Sequence, residues 1–116
     1  MQLSIIVYVR DTERSAAFYE SLGFERQGSV RPRWAAFTFG ETLFALHGTM
    51  TGELDPPSDR VTINIVVSRE ELDRLHALCE ERGYEITGPI DDVGFGPFFR
   101  VLDPDGLPIQ FNTRTR

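Results

Sequence analysis

Leu102-Asp103-Pro104-Asp105-Gly106-Leu107-Pro108-Ile109-Gln110-Phe111-Asn112 reads as a turn followed by a strand. Pro104 fixes its own φ and Gly106 supplies the positive φ of a tight turn. The side chains of Asp103 and Asp105 are placed to accept from nearby backbone N–H groups. Beyond the turn the pattern alternates: Ile109 and Phe111 point to one side, Gln110 and Asn112 to the other. A strand that packs apolar groups on one face and presents carboxamides on the other sets the frame for the rest of the chain.

Working outward, Leu3 to Val9 is β-branched and apolar on both faces, a strand covered on both sides. Asp11 is placed to cap a helix running to Leu22, with Ser15, Phe18, Tyr19 and Leu22 as its core stripe and Gly23 as its stop. Phe24 to Val30, Trp34 to Phe39 and Thr42 to His47 follow as strands, with Arg31-Pro32-Arg33 turning between the first two. Gly48 to Asp59, with Gly52, Pro56 and Pro57, reads as a linker. The plan then recurs. Val61 to Val67 is a strand, Ser68 and Glu71 form a capping box, and a helix runs to Arg82 with Leu72, Leu75, Leu78 and Cys79 inside. Gly83 stops it. Tyr84 to Thr87, Phe98 to Leu102 and Leu107 to Asn112 are the remaining strands, with a loop at Gly94, Gly96 and Pro97.

The halves superpose as patterns. Val9 matches Val67, Gly23-Phe24-Glu25 matches Gly83-Tyr84-Glu85, and Gly40 approximates Gly106. The repeat is β-α-β-β-β, twice, and a unit this small needs a second to cover its sheet. The expected organisation is one domain over 1–116: module one 1–48, linker 49–59, module two 60–116.

Composition narrows the partners. With 116 residues, 41% hydrophobic and 26% charged, the chain has the make-up of a soluble domain with a core. No apolar run approaches the ~20 residues of a membrane span, so no membrane partner is expected. The first residues lack a basic segment and a small-residue cleavage site, so no signal peptide is expected. The single cysteine, Cys79, excludes an internal disulfide and fits a reducing cytoplasm. A net charge of −6 argues against a nucleic-acid partner and is compatible with a cationic ligand.

The run Val9-Arg10-Asp11-Thr12-Glu13-Arg14-Ser15-Ala16-Ala17-Phe18-Tyr19-Glu20-Ser21-Leu22-Gly23-Phe24, joined to Asp103-Pro104-Asp105-Gly106-Leu107-Pro108-Ile109-Gln110-Phe111, resembles the vicinal oxygen chelate superfamily. That group includes glyoxalase I, extradiol dioxygenases, fosfomycin resistance proteins and bleomycin resistance proteins. The resemblance spans nearly the whole chain. It implies an α+β fold in which the two β-α-β-β-β modules form a cupped mixed sheet, and a homodimer. It does not fix an activity, because the superfamily hosts several chemistries.

Enzymes of the superfamily hold a divalent metal with His and Glu on cup-facing strands. The resemblance puts those places at Ser4, Ala45, Thr62 and Gln110, or at Phe44 instead of Ala45 if the strand shifts by one. Hydroxyls, a methyl and a carboxamide make a poor set for a dication, which needs imidazole, thiolate or carboxylate. No metal and no other cofactor is expected. His47 is the best remaining candidate for a ligand or general base, and is otherwise a histidine at the cup rim. His76 reads as a boundary residue and Cys79 as a buried, inert thiol. Asp91-Asp92 is either a cation attractor at the cup mouth or an exposed loop charge.

The expected ligand-binding set is Tyr8, Trp34, His47, Asn64, Phe98, Arg100, Gln110 and Asn112, with Phe95 and Phe99 as further aromatic lining. Aromatic walls with a few polar groups suit a planar or cationic small molecule. The nine phenylalanines could equally fill a closed core. The function expected is metal-independent binding of the bleomycin-resistance type, by sequestration in a dimer. The alternative is a metal-dependent glyoxalase-like lyase or dioxygenase with atypical ligands.

Overall fold

The structure, a computed structural model, describes residues 1–54, 60–93 and 96–114. Pro56 and Pro57 of the expected linker, Gly94 of the expected loop and the proposed lining residue Phe95 lie outside the described residues. The chain forms two compact units, Ser4–Thr62 and Met1–Leu3 with Ile63–Arg116.

The first unit carries β1 (Gln2–Val9) from Ser4 onward, α1 (Thr12–Ser21), β2 (Glu25–Arg31), β3 (Trp34–Phe39) and β4 (Thr42–Gly48). β1 pairs in parallel with β4; β3 is antiparallel to β4 and β2 antiparallel to β3. α1 starts where Asp11, in an extended conformation, accepts from the Arg14 N–H at 3.1 Å. Gly23, with φ of +95°, lets the chain leave the helix. Val9, Ala16, Ala35, Phe37 and Leu46 form the buried core beneath α1, and Tyr19, Phe24 and Phe44 pack on it.

The helix is turned relative to the expected stripe. Thr12 and Ala16 are its buried residues, whereas Phe18 is 58% and Leu22 62% exposed. The i, i+4, i+7 line of Thr12, Ala16 and Tyr19 faces the sheet instead. Leu22 is the C-cap, past the last helical residue, and so leaves the stripe.

The second unit repeats the plan with β5 (Val61–Val66) from Ile63 onward, α2 (Arg69–Glu81), β6 (Asp91–Val93), β7 (Gly96–Leu102) and β8 (Pro108–Asn112). β5 pairs in parallel with β8; β7 is antiparallel to β8 and β6 antiparallel to β7. The expected capping box forms: Ser68 Oγ accepts from the Glu71 N–H at 3.1 Å, and the Glu71 carboxylate accepts from the Ser68 N–H at 3.4 Å. Val67, Leu72, Cys79 and Phe99 are the buried core, with Ile65, Leu75 and Phe111 against them. Phe99, expected as ligand lining, therefore belongs to the helix-side core. So do Phe24, Phe37 and Phe44 in the other unit, which leaves the opposite sheet faces to other residues.

Two expectations about β6 and its neighbours are corrected. Tyr84 to Thr87 forms only an isolated bridge, Ile86 to Val101, flanked by Thr87 N–H to Arg100 O and Leu102 N–H to Glu85 O. Gly88, with φ of +121°, then turns the chain away, and Pro89 has no N–H to extend a ladder. The true strand is Asp91–Val93, in register with Phe98 and Pro97, so Asp91 and Asp92 sit on an edge strand rather than in a loop.

The decisive turn forms around one carboxylate. Asp103 Oδ1 accepts from the N–H groups of Asp105, at 2.9 Å, and Leu107, at 2.8 Å. The Asp105 side chain is exposed and takes no part. Among the described residues the result is an α+β fold of two helices and eight strands. No described helix is long and apolar enough to cross a membrane.

Candidate functional site

In each unit the strands have one face under the helix and one facing away, and strand alternation decides which side chains lie on the latter. In the first unit Val7 and Val9 pack toward α1, so Ser4, Ile6 and Tyr8 take the opposite face. The register sets Tyr8 beside His47 and Trp34 beside His47, so three rings form a row across β1, β4 and β3. Tyr8 and His47 have centroids 5.2 Å apart, and Trp34 meets His47 edge-on at 6.2 Å. His47 Nδ1 lies 3.0 Å from the Gly48 carbonyl oxygen. A carbonyl only accepts, so Nδ1 carries the proton and Nε2 of the neutral ring keeps its lone pair.

In the second unit Phe99 and Phe111 pack under α2, so Asn64, Phe98, Arg100, Gln110 and Asn112 take the other face. Four of these five form one hydrogen-bonded chain. Arg100 Nε donates to Gln110 Oε1 at 2.8 Å, Gln110 Nε2 to Asn64 Oδ1 at 3.0 Å, and Asn64 Nδ2 to Asn112 Oδ1 at 2.7 Å. The direction is forced. A guanidinium only donates, so Gln110 must turn its oxygen toward it, and each following carboxamide is oriented in turn. Asn64, Gln110 and Asn112 are 4%, 2% and 5% exposed, a burial that demands such partners. Phe98, two residues before Arg100 on β7, is half-buried beside this chain.

Arg100 itself is half-buried and has no carboxylate within 4.0 Å among the described residues. Ion pairs among the described residues, Arg26 with Glu20 and Arg69 with Asp73, and the His76–Glu80 contact lie elsewhere.

The residues at the metal places implied by the resemblance do not suit a dication by their chemistry. Ser4 Oγ is buried without a hydrogen-bond partner, and Ala45 is fully buried with no donor atom to offer. Thr62 contributes a neutral hydroxyl. Gln110 has one acceptor oxygen, and a cation already donates to it. A second positive charge at that atom is repelled, more strongly as water is excluded. Among the described residues no three His, Cys, Asp or Glu side chains gather to hold a metal.

Other sequence candidates have structural duties. His76 lies 3.0 Å from the Gly88 carbonyl through Nε2, 3.0 Å from Glu80 through Nδ1, and edge-on to Phe99 at 5.0 Å. It ties α2 to the segment before β6, a role its position beside the core stripe did not reveal. Cys79 is buried, and that burial pushes its thiol pKa up, away from reactivity. A cavity of about 730 Å³ runs on the helix side of this unit between Leu75, Leu78, Val101, Ile109 and Phe111. It is not where the polar chain lies. A smaller depression of about 250 Å³ adjoins Phe98, with Asp91 and Asp92 on its border.

The sequence is 30% identical over 114 residues to the phenazine antibiotic resistance protein EhpR of Enterobacter agglomerans, covering 90% of this chain and 85% of that protein. Among solved structures, an NAD-dependent benzaldehyde dehydrogenase from Legionella pneumophila matches with a TM-score of 0.77 and 22% identity, covering 96% of this chain and 97% of that one. A glyoxalase/bleomycin resistance protein/dioxygenase superfamily member from Vibrio splendidus 12B01 matches with a TM-score of 0.67 and 21% identity, covering 97% of each chain. At those identities the structural matches show the fold alone. The Glyoxalase family model matches residues 2–111, and the chain belongs to the Glyoxalase/Bleomycin resistance protein/Dioxygenase superfamily.

Proposed function

We propose that this chain is a metal-independent binding protein of the resistance type, which sequesters a planar aromatic compound in the cytoplasm without altering it covalently. The observation that carries this reading is the Arg100–Gln110 hydrogen bond, which commits to a cation the one carboxamide oxygen among the metal places implied by the resemblance. The row Tyr8–His47–Trp34 supports it: flat π surfaces and a ring nitrogen suit a flat heteroaromatic ligand. The relative named for phenazine antibiotic resistance supports both the resistance role and the planar ligand. As the family resemblance implies, the working form is a homodimer.

A second reading, a metal-dependent glyoxalase-like lyase or dioxygenase, is favoured by one observation. The Nε2 lone pair of His47 is of the kind that binds metals. It is a single imidazole, and no group of three His, Cys, Asp or Glu side chains gathers among the described residues.

Expression in a phenazine-sensitive bacterium separates the two. Sequestration predicts tolerance that rises in proportion to the amount of protein, with the phenazine recovered chemically intact. A modified product formed in many-fold excess over the protein defeats the binding reading.

A further inference from the structure

We propose that Arg100 is an anion-recognition group, so that the planar ligand carries a carboxylate or an equivalent anionic oxygen. This deepens the reading above and rests on it. Nε is committed to Gln110, which fixes the plane of the guanidinium. Gln110 is held in turn by Asn64, and Asn64 by Asn112, all three buried. The terminal amino groups meet no carboxylate among the described residues.

Arg100 is half-buried, and no acid among the described residues pairs with it. Holding it there costs desolvation that no acid of the described chain offsets. A planar guanidinium matches a carboxylate as a fork, so an anionic group would supply the missing partner with defined geometry. Phe98 lies on the same face two residues along β7, close enough to take an aromatic ring whose acidic substituent reaches Arg100. The same charge disfavours a cationic ligand at this place. Asp91 and Asp92 do not reverse that preference: both are exposed on the edge strand, where water and salt screen them.

Calorimetric titration with phenazine-1-carboxylate and with unsubstituted phenazine at neutral pH tests this. The wild-type protein is expected to bind the carboxylate about tenfold more tightly, the scale of a charge-assisted hydrogen bond. R100M should bring the carboxylate down to the affinity of phenazine, and R100K, which keeps the charge but loses the fork, should fall between. The wild-type comparison needs no variant, so a misfolded R100M leaves it standing. Equal affinity of the two probes for wild type overturns the anion site and leaves the binding function intact. Failure of both probes to bind overturns both readings.

Discussion

Arg100 Nε donates to Gln110 Oε1 at 2.8 Å, and this one contact sets the orientation of two further carboxamides. It joins a residue of β7 to one of β8 across an antiparallel pair and reaches β5 through Asn64. A fold that hosts metal chemistry elsewhere in its family has here a connected amide network ending on a guanidinium. Because every member is buried or half-buried, removing one leaves its neighbours unpaired.

Asn64→Ala is therefore expected to cost more than the loss of one bond. It strands the Gln110 N–H and the Asn112 oxygen, at about 1–3 kcal/mol for each buried group left unsatisfied. Urea denaturation should show about 2–6 kcal/mol of destabilisation. A loss under about 0.5 kcal/mol, the level of an ordinary surface change, would show that the amides do not depend on one another.

Trp34 is the only tryptophan and is 36% exposed. Its fluorescence should be quenched on titration with phenazine, giving an affinity directly. Trp34→Ala, followed by calorimetry, should weaken binding by about 1–2 kcal/mol, or roughly five- to thirtyfold, with Trp34→Phe intermediate. Unchanged affinity in the alanine variant would remove the aromatic row from the site.

His76→Ala should destabilise the fold by about 1–3 kcal/mol through loss of the Gly88 bond and the edge contact with Phe99. Hydrogen exchange should accelerate most between Gly83 and Ile90, the segment it ties down. Uniform acceleration across the second unit would point to a packing defect instead.

Burial raises the Cys79 pKa above its ordinary 9.0. The unfolded thiol then releases its proton at a lower pH than the folded one, so the unfolded state binds fewer protons in that window. Stability is fully present below pH 9.0 and falls as pH rises from there through the folded value. Denaturation midpoints measured across that range should decline more steeply for the wild type than for Cys79→Ala. Parallel curves would show that the thiol contributes nothing to the alkaline limb.

Local signals in the sequence were sufficient for the repeat. The Asp103 turn, the Ser68–Glu71 box and the glycine stops at Gly23 and Gly83 are each written within a few residues, and all form. The face of α1 was not legible. Either Phe18 and Leu22 or Thr12 and Ala16 make a plausible stripe, and only packing against β2, β3 and β4 decides between them. β6 was hidden because two adjacent aspartates disfavour a strand, and its three residues are held by register with β7 alone. All four members of the polar chain were visible as inward candidates. Their mutual bonding was not, because it links residues 46 and 48 positions apart.

The central claim, that binding here needs no metal, is tested most directly by one paired measurement. Protein purified without chelator is assayed for metal by plasma mass spectrometry, and phenazine is titrated into it before and after EDTA treatment. The account predicts far less than one ion per chain and the same affinity in both titrations. A bound zinc, nickel, manganese or iron near one per chain, with binding lost on its removal, would contradict it.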